Sequence, residues 1–251
     1  MKVSIITVCY NSEKTVESTI RSVLAQDHSD IEFIVIDGKS TDKTPAIIEK
    51  YRTKIARVVS EKDEGMYHAI NKGIALATGE IIGVLNSDDV YADASVISRI
   101  AKTFKEKNVD SVYGDLQYVS RENHEKVIRH WKSEPYNEKL FLKGWMPPHP
   151  TFFVKRDCYK KYGTFNTSFS ISSDYELMLR FLYKHKISSS YIPNVIVKMN
   201  VGGISNRSVF SRITANKEDR RAWKINGLKP NSFTLILKPL SKLRQFIKAL
   251  R

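Results

Sequence analysis

The stretch that most constrains this chain is Ile81-Ile82-Gly83-Val84-Leu85-Asn86-Ser87-Asp88-Asp89. Its short apolar run stops at two adjacent carboxylates. A run of this length, set between Gly79 and a pair of acids, reads as a strand buried on both faces. Such strands belong to parallel sheets, which bind ligands at their carboxyl edge. Asp88 and Asp89 sit just past that edge. Neighbouring carboxylates repel, and both stay ionised only where a positive charge compensates them. A hard divalent cation does so through oxygen ligands and is readily shared with a diphosphate. A solvated Asp-Asp turn, or Asp88 as the N-cap of a following helix, fits the dipeptide as well.

The rest of the first half repeats the pattern. Val3–Cys9 is apolar and β-branched, a strand. Asn11-Ser12-Glu13 opens a helix carrying Val16, Ile20, Val23 and Leu24 at helical spacing. Ile31–Ile36 is a second buried strand, ending at Asp37. Ser40-Thr41-Asp42 caps a helix through Ile47 and Ile48. Ala56–Ser60 is a short third strand, and Glu64–Leu76 a helix with Met66, Ile70 and Ile74 on one side. The order βαβαβαβ predicts a parallel sheet with right-handed crossovers. Tyr10 and Asn11 follow the first strand, Asp37 the second, Asp88 and Asp89 the fourth, and these ends converge on one crevice. For Asp37 this favours ligand contact over a turn-supporting role, and Gly38 beside it permits a tight turn.

Residues 111–200 change character. Strand-like pieces at Ser111–Tyr118, Lys126–Trp131, Thr151–Val154 and Ser190–Val197 are separated by longer loops. Met146-Pro147-Pro148-His149-Pro150 reads as a rigid, exposed segment. His149 suits a hydrogen-bonding place at the core edge before it suits catalysis. Trp145 suits a platform for a sugar ring or plain packing. Ile171–Glu176 opens a helix whose N-cap is Ser173 or Asp174. Asp174 at that mouth would serve as a cap, as a general base facing the crevice, or as both. There is no GxSxG, HExxH or P-loop motif. The first strand is not followed by a Gly-rich loop, which disfavours a dinucleotide-binding enzyme.

Charge separates the end of the chain from the rest. The 251 residues carry a net +14, and residues 207–251 hold twelve Lys/Arg against two acids. Such a tail implies an anionic partner. Arg207–Ile225 reads as a basic helix. Pro239 opens a last helix with Leu240, Leu243, Phe246, Ile247 and Leu250 on one face and Lys242, Arg244, Lys248 and Arg251 opposite. That pattern fits an interfacial membrane helix or a terminal helix docked on the domain. The division is therefore 1–206 and 207–251. Nucleic acid is disfavoured, because no reading motif accompanies the charge. No apolar run approaches the ~18 residues of a membrane span. The N-terminus reads as a strand and not a signal peptide. Cys9 and Cys158 lack metal spacing, as expected of a cytoplasmic chain.

Five segments in order resemble the inverting family-2 glycosyltransferases of GT-A fold. They are Ser4-Ile5-Ile6-Thr7-Val8-Cys9-Tyr10-Asn11, Val35-Ile36-Asp37-Gly38-Lys39-Ser40-Thr41-Asp42-Lys43-Thr44, Asn71-Lys72-Gly73-Ile74-Ala75-Leu76-Ala77-Thr78-Gly79-Glu80, Leu85-Asn86-Ser87-Asp88-Asp89 and Ser173-Asp174-Tyr175-Glu176-Leu177. Each alone is weak; five in register are specific, and they span most of residues 1–206.

The resemblance implies a Rossmann-like, mostly parallel α/β sheet flanked by helices, with a basic helical tail. It implies a nucleotide-sugar donor held by Thr7, Tyr10, Asn11, Asp37 and Asp88. Mn2+ or Mg2+ would be ligated by Asp89, with Asp88 approaching the ribose or the metal. Asp174 would act as base on the acceptor hydroxyl, and His149 and Trp145 would line the acceptor side. The expected activity is transfer of one sugar to a glycan acceptor, lipid-linked, in cell-surface polysaccharide or glycolipid synthesis. The expected place is the inner face of the cytoplasmic membrane, with the tail on its anionic surface. The chain departs from the family pattern at Gly38, where many members have a second acid, and at Asn86, which leaves the metal to Asp88 and Asp89. Arg220-Arg221-Ala222-Trp223 only faintly matches the Arg-Trp motif of processive members, which implies single addition. A sugar-phosphate nucleotidyltransferase is the competing enzyme, though the Gly-rich opening expected of one is absent between Val3 and Lys14. A non-catalytic sugar- or membrane-surface module is the alternative from another class.

Overall fold

The structure is a computed structural model and describes residues 1–120, 123, 125–201, 209–230 and 234, with residues 209–212 described in backbone only. Strand β1 (Val3–Cys9) is buried at every position, and β2 (Ile31–Asp37) at every position but its first. They pair in parallel, Val3 opposite Ile31 and Cys9 opposite Asp37. β3 (Arg57–Ser60) continues the parallel array beyond β2, and β4 (Ile81–Val84) lies on the other side of β1. Helices α1 (Val16–Leu24), α2 (Thr44–Lys50) and α3 (Met66–Leu76) make the crossovers. The carboxyl ends of β1, β2 and β4 therefore share one edge, as the sequence order predicts. Gly83 in β4 leaves room for the neighbouring Phe153 ring, because a Cβ there would lie 2.3 Å from it.

The second half makes the sheet mixed. β5 (Asp89–Tyr91) follows β4 after a tight turn, then α4 (Val96–Lys107), β6 (Ser111–Val119), β7 (Val127–Trp131), α5 (Glu138–Leu142), β8 (Phe153–Lys155), α6 (Arg156–Tyr162), α7 (Ser173–Met178) and β9 (Ser189–Asn200). The strand order is β3-β2-β1-β4-β8-β6-β9-β5, with β7 paired to β6. β8 runs antiparallel to β4 and β6, β5 antiparallel to β9, and β6 parallel to β9. The sheet curls, so that its last strand, β5, returns to α1: Thr19 Oγ1 donates to the Asp89 carbonyl at 2.7 Å. Helix α4, on which the sequence reading was silent, buries Val96, Ile97, Ile100, Ala101 and Phe104 at helical spacing. The proline segment is a correction. Met146, Pro147, Pro148 and Pro150 are buried, because Thr151 folds the segment back by donating both its N–H and Oγ1 to the Pro148 carbonyl.

Helix α8 (Val209–Ile225) follows the division read at residue 206. It packs on α7 and buries Ala222 and Trp223 completely. Trp223 Nε1 donates to Tyr175 Oη at 2.8 Å, and Asn226 Nδ2 donates to Glu176 Oε1 at 3.0 Å. An indole in the core and paired polar groups around it belong to a domain interior. The basic residues Lys217, Arg220, Arg221 and Lys224 lie on its exposed side. Thr234 is buried too, its Oγ1 donating to the Leu142 carbonyl at 2.6 Å. The sequence-predicted last helix lies outside the described residues. Among those described, no helix is long and apolar enough to cross a membrane.

One buried acid secures the opposite edge. Glu32 accepts from Ser4 Oγ (2.6 Å), Thr78 N (2.7 Å), Thr78 Oγ1 (2.7 Å) and Lys2 Nζ (3.3 Å), tying β1 and β2 to the turn before β4. Burial by itself raises such a carboxyl, but these donors outweigh it and bring Glu32 down to about 2. The folded carboxyl is the stronger acid, so its stabilisation is full above the ordinary carboxylate range and is lost as pH falls toward 2. Glu32→Gln is expected to lower unfolding free energy at pH 7 by about 1–3 kcal/mol. In urea melts across pH, that difference should shrink steadily between about 4.3 and 2. Trp223→Ala is expected to cost about 3–5 kcal/mol in the same melts, and a loss below ~1 kcal/mol would return α8 to the status of an appendage.

Candidate active site

The carboxyl edge of the parallel strands is built around two linked loops. After β1, Tyr10 is 65 % exposed and its ring lies over Gly38, a contact a side chain there would crowd. Asn11 has a left-handed backbone (φ 49°) and accepts from Thr41 N at 2.9 Å, while its own N–H donates to Ser40 Oγ at 2.8 Å. This short polar side chain tolerates the left-handed region. It joins the loop after β1 to the loop after β2.

Two residues assigned to the donor are not on the crevice surface. Asp37 is 1 % exposed. Its carboxylate accepts from Ser40 N, Ser40 Oγ and Ser60 Oγ. In the structure its carboxylate therefore braces the turn after β2. Thr7 is fully buried and its Oγ1 has no hydrogen-bond partner among the described residues.

The acid pair divides by depth. Asp88 is half-buried, and Asp89 is 0 % exposed at the first position of β5. Asn86 Nδ2 donates to Asp89 Oδ2 at 3.4 Å, and Asp89 Oδ1 is buried without a hydrogen-bond partner among the described residues. Burial first, and the adjacent Asp88 charge second, push the Asp89 carboxyl well up from its ordinary value. The resemblance implies Asp89 as the leading ligand; in the structure Asp88 is the more accessible of the two and Asp89 lies buried. The turn is pinned from three directions. Ser12 Oγ and Ser87 Oγ are 2.9 Å apart, Thr19 holds the Asp89 carbonyl, and Asn200 Nδ2 donates to the Asp88 carbonyl at 2.6 Å. No group of three or more metal-ligating side chains occurs among the described residues. The pair still fits a divalent cation. An orphaned carboxylate oxygen and a second carboxylate beside it lack only positive charge, and a diphosphate and water supply the remaining oxygens.

The second group of acids comes from α7. Asp174 Oδ2 lies 3.2 Å from His149 Nδ1, and Asp174 Oδ1 accepts from Tyr175 N at 2.8 Å. His149 and Asp174, some 25 residues apart in sequence, thus form one pair. Trp145 is half-buried in an aromatic cluster with Tyr113, Tyr136 and Phe141, at centroid distances of 6.0–6.2 Å. Of the two readings left open for Trp145, packing is the one these contacts describe.

Cross-strand register shows what lies between the two groups. Arg129 on β7 faces Tyr118 on β6, Tyr118 faces Met199 on β9, and Met199 faces Asp89 on β5. Directly opposed residues share a face of the sheet. The Arg129 guanidinium lies 4.6 Å from the Tyr118 ring centroid. Burial pushes the Tyr118 phenol up, Arg129 draws it down, and the charges of Asp89 and Asp174 add to the rise. Tyr118 thus shares a row with Asp89 and lies near enough to both Asp89 and Asp174 for their charges to act on its phenol. The sequence gave no signal for Arg129 or Tyr118, since Val127-Ile128-Arg129-His130-Trp131 does not alternate in polarity.

A model of glycosyl transferase family 2 matches residues 4–167. An uncharacterized glycosyltransferase of Mycobacterium tuberculosis is 31% identical over 183 residues, covering 71% of this chain and 68% of its own length. A PGL/p-HBAD biosynthesis glycosyltransferase of Mycobacterium bovis is 26% identical over 211 residues, covering 82% of this chain and 80% of its own. Among solved structures, residues 1–349 of TarS from S. aureus with UDP-GlcNAc superpose with a TM-score of 0.66 at 19% identity, covering 100% of this chain and 80% of that one. The mannosyltransferase PcManGT from Pyrobaculum calidifontis, with GDP-Man and Mn2+, gives 0.65 at 19% identity, covering 99% and 73%. Both likenesses are of fold, and the fold is GT-A. The family model's reach across the parallel half and into the mixed half, on a sheet of that architecture, makes this chain a member of glycosyl transferase family 2.

Proposed function

We propose that this glycosyltransferase moves one sugar from a nucleotide-sugar donor to a hydroxyl of a lipid-linked glycan acceptor, with inversion, in the synthesis of a surface polysaccharide or glycolipid. The observation that carries the reading is a buried acid pair at a strand end, Asp88 and Asp89, together with an Asp174–His149 pair whose carboxylate acts on the same Tyr118 phenol as Asp89. Both solved neighbours hold nucleotide sugars, and one also holds Mn2+.

The exposed Tyr10 ring offers a face for the nucleotide base, and Asn11 fixes the loop that presents it. Thr7 and Asp37 act behind this surface, holding β1 and the turn after β2. Asp88 and Asp89 would hold Mn2+ or Mg2+, Asp88 from the accessible side. When bound, the cation neutralises charge on the departing diphosphate. Asp174 Oδ2 accepts the proton of the acceptor hydroxyl as that oxygen attacks the anomeric carbon. His149 Nδ1 sits on the same carboxylate oxygen and sets its orientation. Attack from the face opposite the diphosphate, in one displacement, inverts the anomeric centre. The competing nucleotidyltransferase reading falls with the family assignment.

The exposed basic side of α8 and the net positive segment 238–251 support contact with an anionic membrane surface, and hence a place at the inner face of the cytoplasmic membrane. Nucleic acid is not part of the proposal.

Asp174→Asn is expected to lower kcat by about 10²–10⁴-fold in a donor-turnover assay with Mn2+, with UDP-GlcNAc and GDP-Man first in the panel. Full activity in that variant would remove the base. Asp88→Ala should abolish the extra thermal stabilisation that Mn2+ adds to a nucleoside diphosphate, and its persistence would remove the cation site. Deleting residues 238–251, which spares Thr234, is expected to lower co-sedimentation with phosphatidylglycerol vesicles at least about tenfold at low salt. Undiminished pelleting would leave the tail without a membrane role.

A further inference from the structure

The loop that delivers Asp174 is held by a residue from the far end of the chain. Glu218 on α8 is 8 % exposed. Its Oε1 accepts from Ser170 N at 2.7 Å, and its Oε2 accepts from Ile171 N at 2.9 Å and Ser172 N at 2.8 Å. Three consecutive amides thus converge on one buried carboxylate, immediately before α7. The same loop is fixed on its other side, where Tyr67 Oη donates to the Ile171 carbonyl at 2.6 Å. Ser172 Oγ donates back to the Ala215 carbonyl of α8 at 3.3 Å. Beyond Asp174, Tyr175 and Glu176 are tied to Trp223 of the same helix and to Asn226 just past its end. Helix α8 therefore grips the chain on both flanks of Asp174 and leaves the Asp174 side chain facing His149.

We propose that Glu218 is a positioning residue for the catalytic base: its carboxylate gathers the amides of residues 170–172 and so fixes where Asp174 stands. The inference rests on Asp174 being the base. Hydrogen bonds to a buried charge are stronger than neutral ones, and losing the acceptor leaves three buried N–H groups without it. An amide at position 218 keeps the size and one acceptor oxygen, but it sets an NH2 group against N–H donors.

The test compares the full chain with Glu218→Gln, Glu218→Ala, Asp174→Asn and the Asp174→Asn/Glu218→Gln double variant. Turnover of UDP-GlcNAc or GDP-Man with Mn2+ is measured per mole of enzyme that binds UDP or GDP, which counts only folded protein. Glu218→Gln is expected to lower kcat by about 10²-fold, the scale of an ångström-sized misplacement. The donor KM should stay within about twofold. The double variant should be no slower than Asp174→Asn alone, because two residues acting through one group do not add. Hydrogen exchange of the 166–178 peptide, which needs no activity, should quicken in both Glu218 variants. Unchanged exchange, an unchanged kcat, a kcat loss matched by a donor KM rise, or losses that multiply in the double variant each overturn the inference. A fully active Asp174→Asn overturns the base itself and this inference with it. An inactive Asp174→Asn beside a normal Glu218→Gln overturns the inference alone.

Discussion

A carboxylate that is shut away from water beside another carboxylate is a standing electrostatic debt in this fold. Asp89 is fully buried with one oxygen lacking a hydrogen bond among the described residues, and Asp88 stands next to it. Such an arrangement survives only when the surrounding structure over-determines it. The turn is held from the loop after β1, from α1 and from the end of β9. Those anchors come from three separate parts of the chain, and the curl of the sheet is what brings them together. The pair is therefore kept ready for positive charge by the fold as a whole.

The same logic governs the Asp174–His149 pair. Asp174 sits in the first turn of a short helix, and a six-residue helix has little rigidity of its own. Its stiffness is borrowed from α8 and the residue just past its end, through Trp223, Glu218 and Asn226. The charge asymmetry of the chain then has two consequences on one helix. The exposed side of α8 carries Lys217, Arg220, Arg221 and Lys224, and its buried side carries Glu218 and Asp219. Both acids of the basic end point inward, which leaves the outer side uniformly positive.

Much of this was legible in the residues. The strands at Val3–Cys9, Ile31–Asp37 and Ile81–Val84 read as buried because both faces are apolar, and they are. Helix α8 was legible as a helix but not as one packed on α7, since its burial depends on Tyr175 and Glu176, some 50 residues away in sequence. The proline segment reads as exposed because proline usually marks the surface. It is buried because Thr151 turns it inward. Asp37 reads as a ligand contact because strand ends converge, while its hydrogen bonds from the Ser40 and Ser60 hydroxyls depend on how two loops fold back on it.

Local pattern by itself determined the parallel half of the sheet, the edge on which the acids gather and the family to which the chain belongs. These follow from side-chain periodicity and from residues adjacent along the chain. Only the tertiary structure decided which acid of the pair is buried, that His149 meets Asp174, that Arg129 and Tyr118 share a row with Asp89, and that Glu218 holds the loop before Asp174. Each of those is a pairing between distant segments, set by strand register and by the curl of a mixed sheet. Neither register nor curl leaves a mark in any single stretch of sequence.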